Sequence, residues 1–259
     1  MTCFLINVQR PDLMLTQPPS APTAPELISI IIPTYNEAAS LPDLLRHLRQ
    51  AGAHREANVE IIIADGQSTD ATAALAREAG ARVLACPTKG RAAQLNYGAR
   101  HAAGSILYFL HADTYPPVGF PDDIRRAVGA GYGCGCYRLA FDMSHWFLRA
   151  NAWFTRFDVE AARFGDQSLF ALKTVFEQAG GYREDLVVME DQEITRRLKQ
   201  HTKLRVLPAK VTTSARKYRE NGIFRLQGVF YLLTLLYRLR VPQPMLLRIY
   251  RALIRQDKL

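Results

Sequence analysis

The stretch that decides the fold is Ser105-Ile106-Leu107-Tyr108-Phe109-Leu110, which runs directly into His111-Ala112-Asp113-Thr114. A continuous apolar run bounded by turn residues is typical of a strand that is buried on both of its faces. The Asp113 carboxylate follows at the point where this strand leaves the predicted sheet. Because ligands of open α/β sheets collect at the carboxyl ends of the strands, we predict that Asp113 holds a divalent metal and a diphosphate.

Three strand-and-helix units precede this strand. Apolar runs predict strands at 27–32, 59–64 and 82–85, and a helical pattern follows each of them. Ser40, with Asp43 three residues later, fits a capping box at the start of the first helix. The alternation of strand and helix predicts an α/β protein with a mostly parallel sheet flanked by helices.

Beyond the fourth strand the pattern becomes mixed. An alternating strand at 137–141 can run antiparallel to its neighbours. An aromatic helical stretch follows at 146–164. Within it, we expect Trp146, Trp153 and Phe154 to lie in the core rather than to form a platform for a sugar ring.

The composition predicts one large domain with a basic tail. The chain has 259 residues, of which 48% are hydrophobic and 22% are charged, and we expect an α/β domain at 26–215 after a proline-rich, disordered lead-in at 1–25. Much of the net charge of +9 lies at 216–259, where arginines interleave with apolar residues. This pattern favours an amphipathic helical tail on an anionic membrane surface over nucleic-acid binding, and a tail packed on the domain is the alternative.

The cysteines and the apolar runs predict a cellular compartment. Cys3, Cys86, Cys134 and Cys136 lack the spacing of a zinc site, which favours reduced thiols. No basic region leads into a long apolar stretch at the N-terminus, so a secretory signal is not expected. No apolar run reaches the roughly 20 residues of a membrane-spanning helix. We therefore expect a cytoplasmic protein that can attach to the cytoplasmic face of the membrane.

Polar residues suited to a nucleoside follow the first two predicted strands. After the first strand, Thr34, Tyr35 and Glu37 provide hydrogen-bonding groups and a ring that can stack on a base. After the second strand, Asp65 can accept the N–H of a uracil, and Gly66 permits close approach of the backbone to a ligand. Acidic residues at strand ends are also common as helix caps, so neither motif is specific alone.

Cationic residues follow the third strand. Lys89 and Arg91 lie where the next helix begins, and helix N-termini favour phosphate groups. Together with Asp113 after the fourth strand, the chain has four successive strand ends with chemistry suited to a nucleotide. This succession favours a nucleotide site over a set of unrelated caps.

Four motifs also carry a resemblance to a known family. They are Pro33-Thr34-Tyr35-Asn36-Glu37, Ala64-Asp65-Gly66-Gln67-Ser68-Thr69-Asp70, Leu110-His111-Ala112-Asp113 and Met189-Glu190-Asp191. Over about residues 27–215, their order and spacing resemble those of family 2 glycosyltransferases. The resemblance implies the GT-A (Rossmann-like) fold, a nucleotide-diphosphate sugar as donor, inversion at the sugar, and Mg²⁺ or Mn²⁺ as cofactor.

The resemblance further implies a role for each matching residue. The residues that it assigns to the nucleotide, with uracil as the expected base, are Pro33, Thr34, Tyr35, Glu37, Asp65, Lys89, Arg91 and Asp113. Asp113 is also the implied metal ligand, and Asp191 the implied general base, with Glu190 assisting it or binding the acceptor. Asp166 and Gln167 are assigned to acceptor or sugar hydroxyls, and a polar turn is an equal interpretation of that pair.

The chain departs from the family pattern in two places. His111 stands where the family's D-x-D signature has its first aspartate, and it can reach the metal, reach the ribose or simply pack. The resulting His-Ala-Asp sequence is similar to that of a bacterial subgroup. The Q-x-x-R-W motif of processive synthases is absent, and its nearest analogue is Arg216-Lys217-Tyr218-Arg219. We therefore expect transfer of a single sugar to a hydroxyl of a lipid-linked, membrane-proximal or small-molecule acceptor.

Two other functions stay open on the sequence. A nucleotidyltransferase shares a related fold, but it usually carries a glycine-rich phosphate loop after its first strand, and residues 33–37 lack one. A non-catalytic nucleotide-sugar-binding or membrane scaffold protein would keep the binding residues without consuming a donor.

Overall fold

The computed structural model of the chain describes residues 26–53, 57–159 and 165–255. The strands in these ranges are β1 (Ile28–Thr34), β2 (Val59–Asp65), β3 (Arg82–Ala85), β4 (Ile106–Phe109), β5 (Thr114–Tyr115), β6 (Cys134–Phe141), β7 (Leu169–Leu172) and β8 (Leu204–Thr213). The helices are α1 (Leu41–Gln50), α2 (Thr72–Glu78), α3 (Arg91–His101), α4 (Phe120–Gly129), α5 (Trp146–Phe154), α6 (Lys173–Gln178), α7 (Glu190–His201), α8 (Arg216–Asn221), α9 (Ile223–Arg238) and α10 (Gln243–Leu253). The predicted lead-in at 1–25 and the end of the aromatic stretch at 160–164 lie outside the described residues.

The strands form one sheet in the order β3-β2-β1-β4-β7-β6-β8-β5. The first four strands along the chain run parallel to one another, whereas β7 pairs antiparallel with β4. The carboxyl ends of β1, β2 and β4 therefore lie at one edge of the sheet. The predicted α/β class and the mostly parallel sheet are confirmed.

β4 is buried on both faces, as its sequence predicts. Ile106 and Tyr108 join a core that includes α1 and α4, while Leu107 and Phe109 join a second core with α3, α6 and α7. These four side chains are at most 3% exposed. Because full burial of a large apolar side chain stabilises the fold by about 1.5–3 kcal/mol, the strand that leads to Asp113 is firmly held between the two helical layers.

Two strands differ from the sequence-based expectation. β1 continues through Pro33 to Thr34 and pairs with β2 there, while β4 reaches β1 only as far as Ile31. Pro33, which lacks an amide hydrogen, thus falls where β1 has a single neighbour, as prolines in sheets usually do. β8 was not expected because Pro208 and Lys210 interrupt its apolar pattern, yet it pairs along the length of β6.

The predicted capping box at α1 is wrong. Ser40 occupies the N-cap position without a side-chain capping bond, and its hydroxyl donates to Oε2 of Glu37 at 2.7 Å. Asp43 instead pairs with Arg46 at the surface. The Ser40 hydroxyl thus holds a residue that the sequence assigns to nucleotide binding.

A third core joins the C-terminal helices to the rest of the protein. Leu226, Leu233 and Tyr250 of α9 and α10 pack with Leu148 of α5 and with Val188. The predicted C-terminal helical tail is therefore present, and it is packed on the protein through one face. None of the helices in the described part of the chain combines the length and the hydropathy required to cross a bilayer.

The expectation that the aromatic residues of α5 lie in the core is wrong. Trp146, Trp153 and Phe154 are 62%, 46% and 54% exposed. Of the side chains on this helix, Leu148 is the buried one, so α5 is anchored by a narrow apolar contact. A short helix with aromatic residues on several sides gives no periodic signal for which side faces the core.

Candidate active site

The Asp65 carboxylate ties together the carboxyl ends of β1 and β2. Thr34 donates its hydroxyl to Oδ1 of Asp65 at 3.2 Å, and Ser68 donates its hydroxyl to Oδ1 at 2.5 Å and its amide to Oδ2 at 3.0 Å. Asp65 is only 5% exposed. A carboxylate oriented by three donors directs its remaining lone pairs along fixed lines, which suits it to accept an N–H of a nucleobase.

Gln94 of α3 lies between the same two strand ends and escaped the sequence analysis. Its Nε2 donates to the carbonyl of Thr34 at 2.8 Å and to that of Ala64 at 2.7 Å. A Cβ on Gly66 would come within 2.9 Å of the Gln94 side chain. Close packing against Gln94 therefore explains why position 66 is a glycine. The sequence had suggested instead that the glycine makes room for a ligand.

The loop after β1 is anchored to the segment after β2. The amide of Glu37 donates to Oγ1 of Thr72 at 2.8 Å. Nζ of Lys89 lies 4.8 Å from the centroid of the Tyr35 ring, which brings the third strand-end motif to the first. Tyr35, Glu37 and Lys89 therefore lie at the same edge of the sheet as Asp65.

Asp113 lies among charged side chains beyond the end of β4. Burial raises the pKa of its carboxyl, and the like charge of Asp166 raises it further, against the opposing charges of His111 and Lys217. The backbone carbonyl of Asp113 accepts a hydrogen bond from the Ser214 amide at 3.1 Å, which fixes the position of this turn. A carboxylate whose charge is disfavoured in this way gains more from a bound cation than an exposed one does.

His111 and Asp166 form a polar pair beside Asp113. Nδ1 of His111 donates to Oδ1 of Asp166 at 3.1 Å. Burial and the Arg91 charge act to lower the pKa of His111, but the bond to Asp166 and the charge of Asp191 outweigh them and raise it. Partial burial acts to raise the pKa of Asp166, but the hydrogen bond and the charge of His111 outweigh this effect and lower the pKa. His111 thus fixes the orientation of a carboxylate near the predicted metal ligand.

Arg91 and Glu190 join the diphosphate motif to the motif of the predicted base. Nη1 of Arg91 lies 3.0 Å from Oε1 of Glu190, and the Glu190 side chain is only 4% exposed. Burial raises the pKa of Glu190, as does the charge of Asp191, against the opposing charge of Arg91. Asp191 lies in the same first turn of α7 and is only partly buried. Of the two carboxylates, Asp191 is the one that stays accessible to a substrate.

The predicted acceptor residues Asp166 and Gln167 have different surroundings. Gln167 is fully buried, and its Nε2 donates to the carbonyls of Tyr137 at 3.1 Å and Thr155 at 3.4 Å. The Asp166 side chain is 43% exposed. Of this pair, Asp166 therefore faces the site, while Gln167 holds the segment in place from within.

Lys217 is a candidate site residue that the sequence analysis did not assign. Nζ of Lys217 lies 3.2 Å from the hydroxyl of Tyr250 in α10, and its charge acts to lower the pKa of both Asp113 and Asp166. The sequence analysis noted Lys217 only within Arg216-Lys217-Tyr218-Arg219, and its place beside the carboxylates depends on the packing of the C-terminal helices on the domain.

The donor set fits a divalent cation that is held largely by its substrate. Asp113 and Asp166 supply carboxylate oxygens, the ligands that Mg²⁺ and Mn²⁺ prefer. Within residues 26–53, 57–159 and 165–255, no group of three His, Cys, Asp or Glu side chains forms a metal site. Proteins commonly hold Mg²⁺ through one or two carboxylates together with substrate phosphates, and these residues match that arrangement.

Comparison with known proteins agrees with this fold. Residues 29–160 match Glycosyl transferase family 2, and this match spans just over half of the 259-residue chain. It contains the motifs that end β1, β2 and β4. The chain belongs to glycosyl transferase family 2.

Curated relatives share part of the chain. The undecaprenyl-phosphate 4-deoxy-4-formamido-L-arabinose transferase of Aeromonas hydrophila is 36% identical over 112 residues, which are 40% of this chain and 33% of the relative. The transferase of the same name from Pseudomonas fluorescens is 38% identical over 110 residues, which are 39% of this chain and 31% of the relative. The matched region thus spans about a third of the length of these relatives.

Solved structures share the fold. The mannosyltransferase PcManGT from Pyrobaculum calidifontis, in complex with GDP-Man and Mn²⁺, has a TM-score of 0.67 at 18% identity and covers 91% of this chain and 73% of its own. S. aureus TarS 1–349 has a TM-score of 0.62 at 16% identity and covers 74% of this chain and 61% of its own. At this identity the likeness establishes the fold alone, which is the GT-A glycosyltransferase fold.

Proposed function

We propose that this protein is an inverting glycosyltransferase that moves a single sugar from a nucleotide-diphosphate sugar, a UDP-sugar by preference, to a hydroxyl of a lipid-linked or membrane-proximal acceptor. The observation that carries the proposal is the common sheet edge at which Asp65, the Asp113–Asp166 group and Asp191 lie. Structures of TarS with UDP and with UDP-GlcNAc, and of PcManGT with GDP-Man and Mn²⁺, support a nucleotide-sugar donor and a divalent metal.

In this proposal the nucleoside lies over the ends of β1 and β2. Asp65, oriented by Thr34 and Ser68, accepts an N–H of the base. The Tyr35 ring stacks on the base or the ribose. Pro33 and Glu37, on either side of Tyr35, complete the nucleoside site at the end of β1. A uracil imide N–H matches the buried acceptor-only carboxylate, and the complexes of TarS with UDP and UDP-GlcNAc support the preference for UDP.

The diphosphate lies between the cations of the α3 N-terminus and Asp113. Lys89 and Arg91 face its negative charge, and Asp113 holds Mg²⁺ or Mn²⁺, with Asp166 next to it. The cation, when bound, neutralises the charge that develops on the leaving diphosphate. The like-charge repulsion between Asp113 and Asp166 is relieved in the same arrangement.

Asp191 is the general base of the proposed reaction. The acceptor hydroxyl attacks the anomeric carbon on the face opposite the diphosphate, so a single displacement inverts the sugar, and Asp191 takes the hydroxyl proton. Glu190 is nearly buried and already paired with Arg91. It therefore assists by holding Arg91 and the start of α7, while the more accessible Asp191 meets the acceptor.

The acceptor is proposed from the tail and from the relatives. The curated relatives are named as undecaprenyl-phosphate transferases, which supports a lipid-linked acceptor. The basic segment 216–259 supports attachment to an anionic membrane surface on its cytoplasmic side. In this proposal Asp166 orients hydroxyls of the acceptor or the sugar. From the sequence His111-Ala112-Asp113, the chain is also proposed to belong to the bacterial subgroup that has His-Ala-Asp.

A donor screen tests the proposal. The full chain is mixed with UDP-sugars and GDP-sugars in the presence of Mn²⁺, Mg²⁺ or EDTA, and the melting temperature and the released nucleotide are measured. We expect a metal-dependent rise in melting temperature with UDP-sugars, because a ligand of the native state stabilises it, and slow release of UDP that a polyprenyl-linked saccharide with free hydroxyls accelerates. Binding without any donor consumption would favour the non-catalytic alternative, and no binding of any nucleotide sugar would contradict the proposal.

A further inference from the structure

Helix α5 exposes a row of aromatic side chains. Trp146, Trp153, Phe154 and, just beyond the helix, Phe157 are 62%, 46%, 54% and 44% exposed. Trp146 and Trp153 lie seven residues apart, a spacing that places them on one side of the helix, and the Phe157 ring lies 5.1 Å from that of Trp153. Soluble proteins seldom expose so many large aromatic residues on one short element, and a contiguous patch of them marks an interaction surface.

Helix α9 continues this row. Its residues Phe224, Tyr231 and Leu235 are 58%, 50% and 54% exposed and again lie seven and four residues apart. Leu232, between the last two, is 41% exposed. We call the exposed residues of the two helices the aromatic face: Trp146, Trp153, Phe154, Phe157, Phe224, Tyr231, Leu232 and Leu235.

Two contacts show that the two rows are neighbours. The Phe224 ring lies 4.9 Å from that of Phe147 and 6.2 Å from that of Trp146. Further along both helices, the Tyr231 hydroxyl donates to Oδ1 of Asn151. Because both contacts advance in the same direction along α5 and α9, the helices lie side by side and their exposed residues form one surface.

The charged side chains of helices α5, α9 and α10 have one sign. Helices α5, α9 and α10 contain no acidic residue, and their arginines are all exposed. These arginines are Arg149, Arg225, Arg238, Arg248 and Arg251. The guanidinium of Arg156 lies 4.3 Å above the Trp153 ring, so a further cation sits on the face itself. A second copy of this chain would bring arginine against arginine, whereas an anionic surface is complementary to this charge.

The packed side of α9 lies against the segment that leads into Glu190. Oγ1 of Thr234 lies 4.0 Å from Sδ of Met189, the residue before Glu190, and Leu233 packs in the same core as Val188. A helix with its side chains is about 10–12 Å across. A surface that covers the outer side of α9 therefore lies about one helix diameter from the segment that begins the proposed base motif.

We infer that the aromatic face docks on the anionic surface of a lipid bilayer, with Trp146 and Trp153 at the level of the headgroups. Tryptophan favours that interface, and arginines beside apolar residues are typical of helices that lie in it. The inference deepens the proposed membrane attachment and rests on the proposed function, since a lipid-linked acceptor lies in the bilayer. The inference adds α5, which is outside the basic tail, to the surface that contacts the membrane. It also assigns the membrane contact to the aromatic face.

The two tryptophans of the chain provide a direct reporter, since both lie on the aromatic face. The full chain is titrated with vesicles of phosphatidylcholine alone or with about 30% phosphatidylglycerol, and tryptophan emission is recorded. We expect a blue shift and quenching by brominated lipid with the anionic vesicles, weakening as salt is raised. Sedimentation with vesicles without any change in emission would assign the contact to another surface and overturn the inference.

Substitution is a better test than truncation here, because deleting 216–259 would uncover the core around Leu148. In the variant Trp153→Ser/Phe154→Ser, Trp146 remains as reporter, and we expect affinity for anionic vesicles to fall about tenfold or more. Val118→Ser is the matched control, because Val118 is 79% exposed but lies before α4, and its affinity should stay within about twofold. Equal binding by the double variant would overturn the inference, as would concentration-dependent self-association that the double variant abolishes.

The outcome is separable from that of the proposed function. UDP and Mn²⁺ binding by the double variant in solution is expected to equal that of the wild type, which also shows that the variant is folded. Vesicle binding without any sugar transfer would leave the docking inference standing and remove the proposed reaction. Donor turnover, together with tryptophan emission that anionic vesicles leave unchanged, would contradict the docking inference but not the proposed reaction.

Discussion

Arg91, the first residue of α3, and Glu190, the first residue of α7, form an ion pair of 3.0 Å that joins two helices on the same side of the sheet. The two residues belong to different sequence motifs, one assigned to the diphosphate and one to the base. The pair therefore couples the position of the proposed base to that of the proposed phosphate site.

Removal of one partner of this pair should destabilise the fold. In Glu190→Ala, Arg91 keeps its charge beside Asp191 but loses its buried acceptor, and we expect the free energy of unfolding to fall by about 1–3 kcal/mol. Urea denaturation measures this free energy of unfolding. Asp43→Ala is the control, since the Asp43–Arg46 pair is exposed and its loss should cost under about 0.5 kcal/mol. Equal effects of the two substitutions would contradict the structural role of the pair.

Gln94 should matter for both stability and nucleotide binding. Gln94→Leu keeps a similar volume but leaves the buried carbonyls of Thr34 and Ala64 without their donor, which costs about 1–3 kcal/mol. The loosened strand ends should also weaken UDP binding, measured by calorimetry. Gln200→Leu, at an exposed position of α7, should change the free energy of unfolding by less than about 0.5 kcal/mol. If Gln94→Leu keeps the stability and the UDP affinity of the wild type, the two hydrogen bonds of Gln94 are dispensable.

The pair of His111 and Asp166 predicts a pH dependence of stability. The pKa of His111 is raised from 6.5, so its contribution is fully present below pH 6.5 and is lost as the pH rises through the raised pKa. The pKa of Asp166 is lowered from 3.8, so its contribution is present above pH 3.8 and is lost as the pH falls through the lowered pKa. The pair therefore stabilises the protein most between these limits.

Thermal unfolding of His111→Gln measures this dependence. We expect its melting temperature to lie furthest below that of the wild type near pH 5.5, and the difference to shrink by about pH 8.5. His101→Gln, at an exposed position of α3, is the control. A difference in melting temperature that stays constant across this pH range would show that charge does not hold His111 and Asp166 together.

Asp113 should be essential for the metal, and His111 should not. Asp113→Ala removes the carboxylate placed nearest the proposed cation, and we expect Mn²⁺-dependent UDP binding and donor turnover to be lost. His111→Ala should weaken turnover without abolishing it, because the histidine acts on Asp166. Equal loss in both variants would make His111 a ligand, and unchanged turnover in Asp113→Ala would remove the basis of the metal site.

The first half of the fold and the strand-end residues were predictable because their signals are local. The apolar runs of β1, β2 and β4 each lead toward a residue of the candidate site, so Thr34, Asp65 and Asp113 could be named as candidates from the sequence. Parallel strands then bring those residues to one edge of the sheet, whatever the details of the helices.

The remaining site residues depend on contacts between distant parts of the chain. Gln94 looks like an ordinary helix residue until the two strand ends meet around it, and Lys217 joins the carboxylates only when the C-terminal helices pack. The exposure of Trp146 and Trp153 was misjudged for a related reason. Aromatic residues suit a core and an interface equally, and only the packing of α5 through Leu148 decides between them.

The proposed reaction depends most directly on Asp191. The decisive measurement is the turnover of a UDP-sugar by Asp191→Asn beside the wild type, with UDP and Mn²⁺ affinity measured on the same samples. We predict unchanged nucleotide binding and a loss of about 10²–10⁴-fold in kcat, the usual contribution of a general base. Turnover within a few-fold of the wild type would contradict the assignment of Asp191 as the base and with it the central claim.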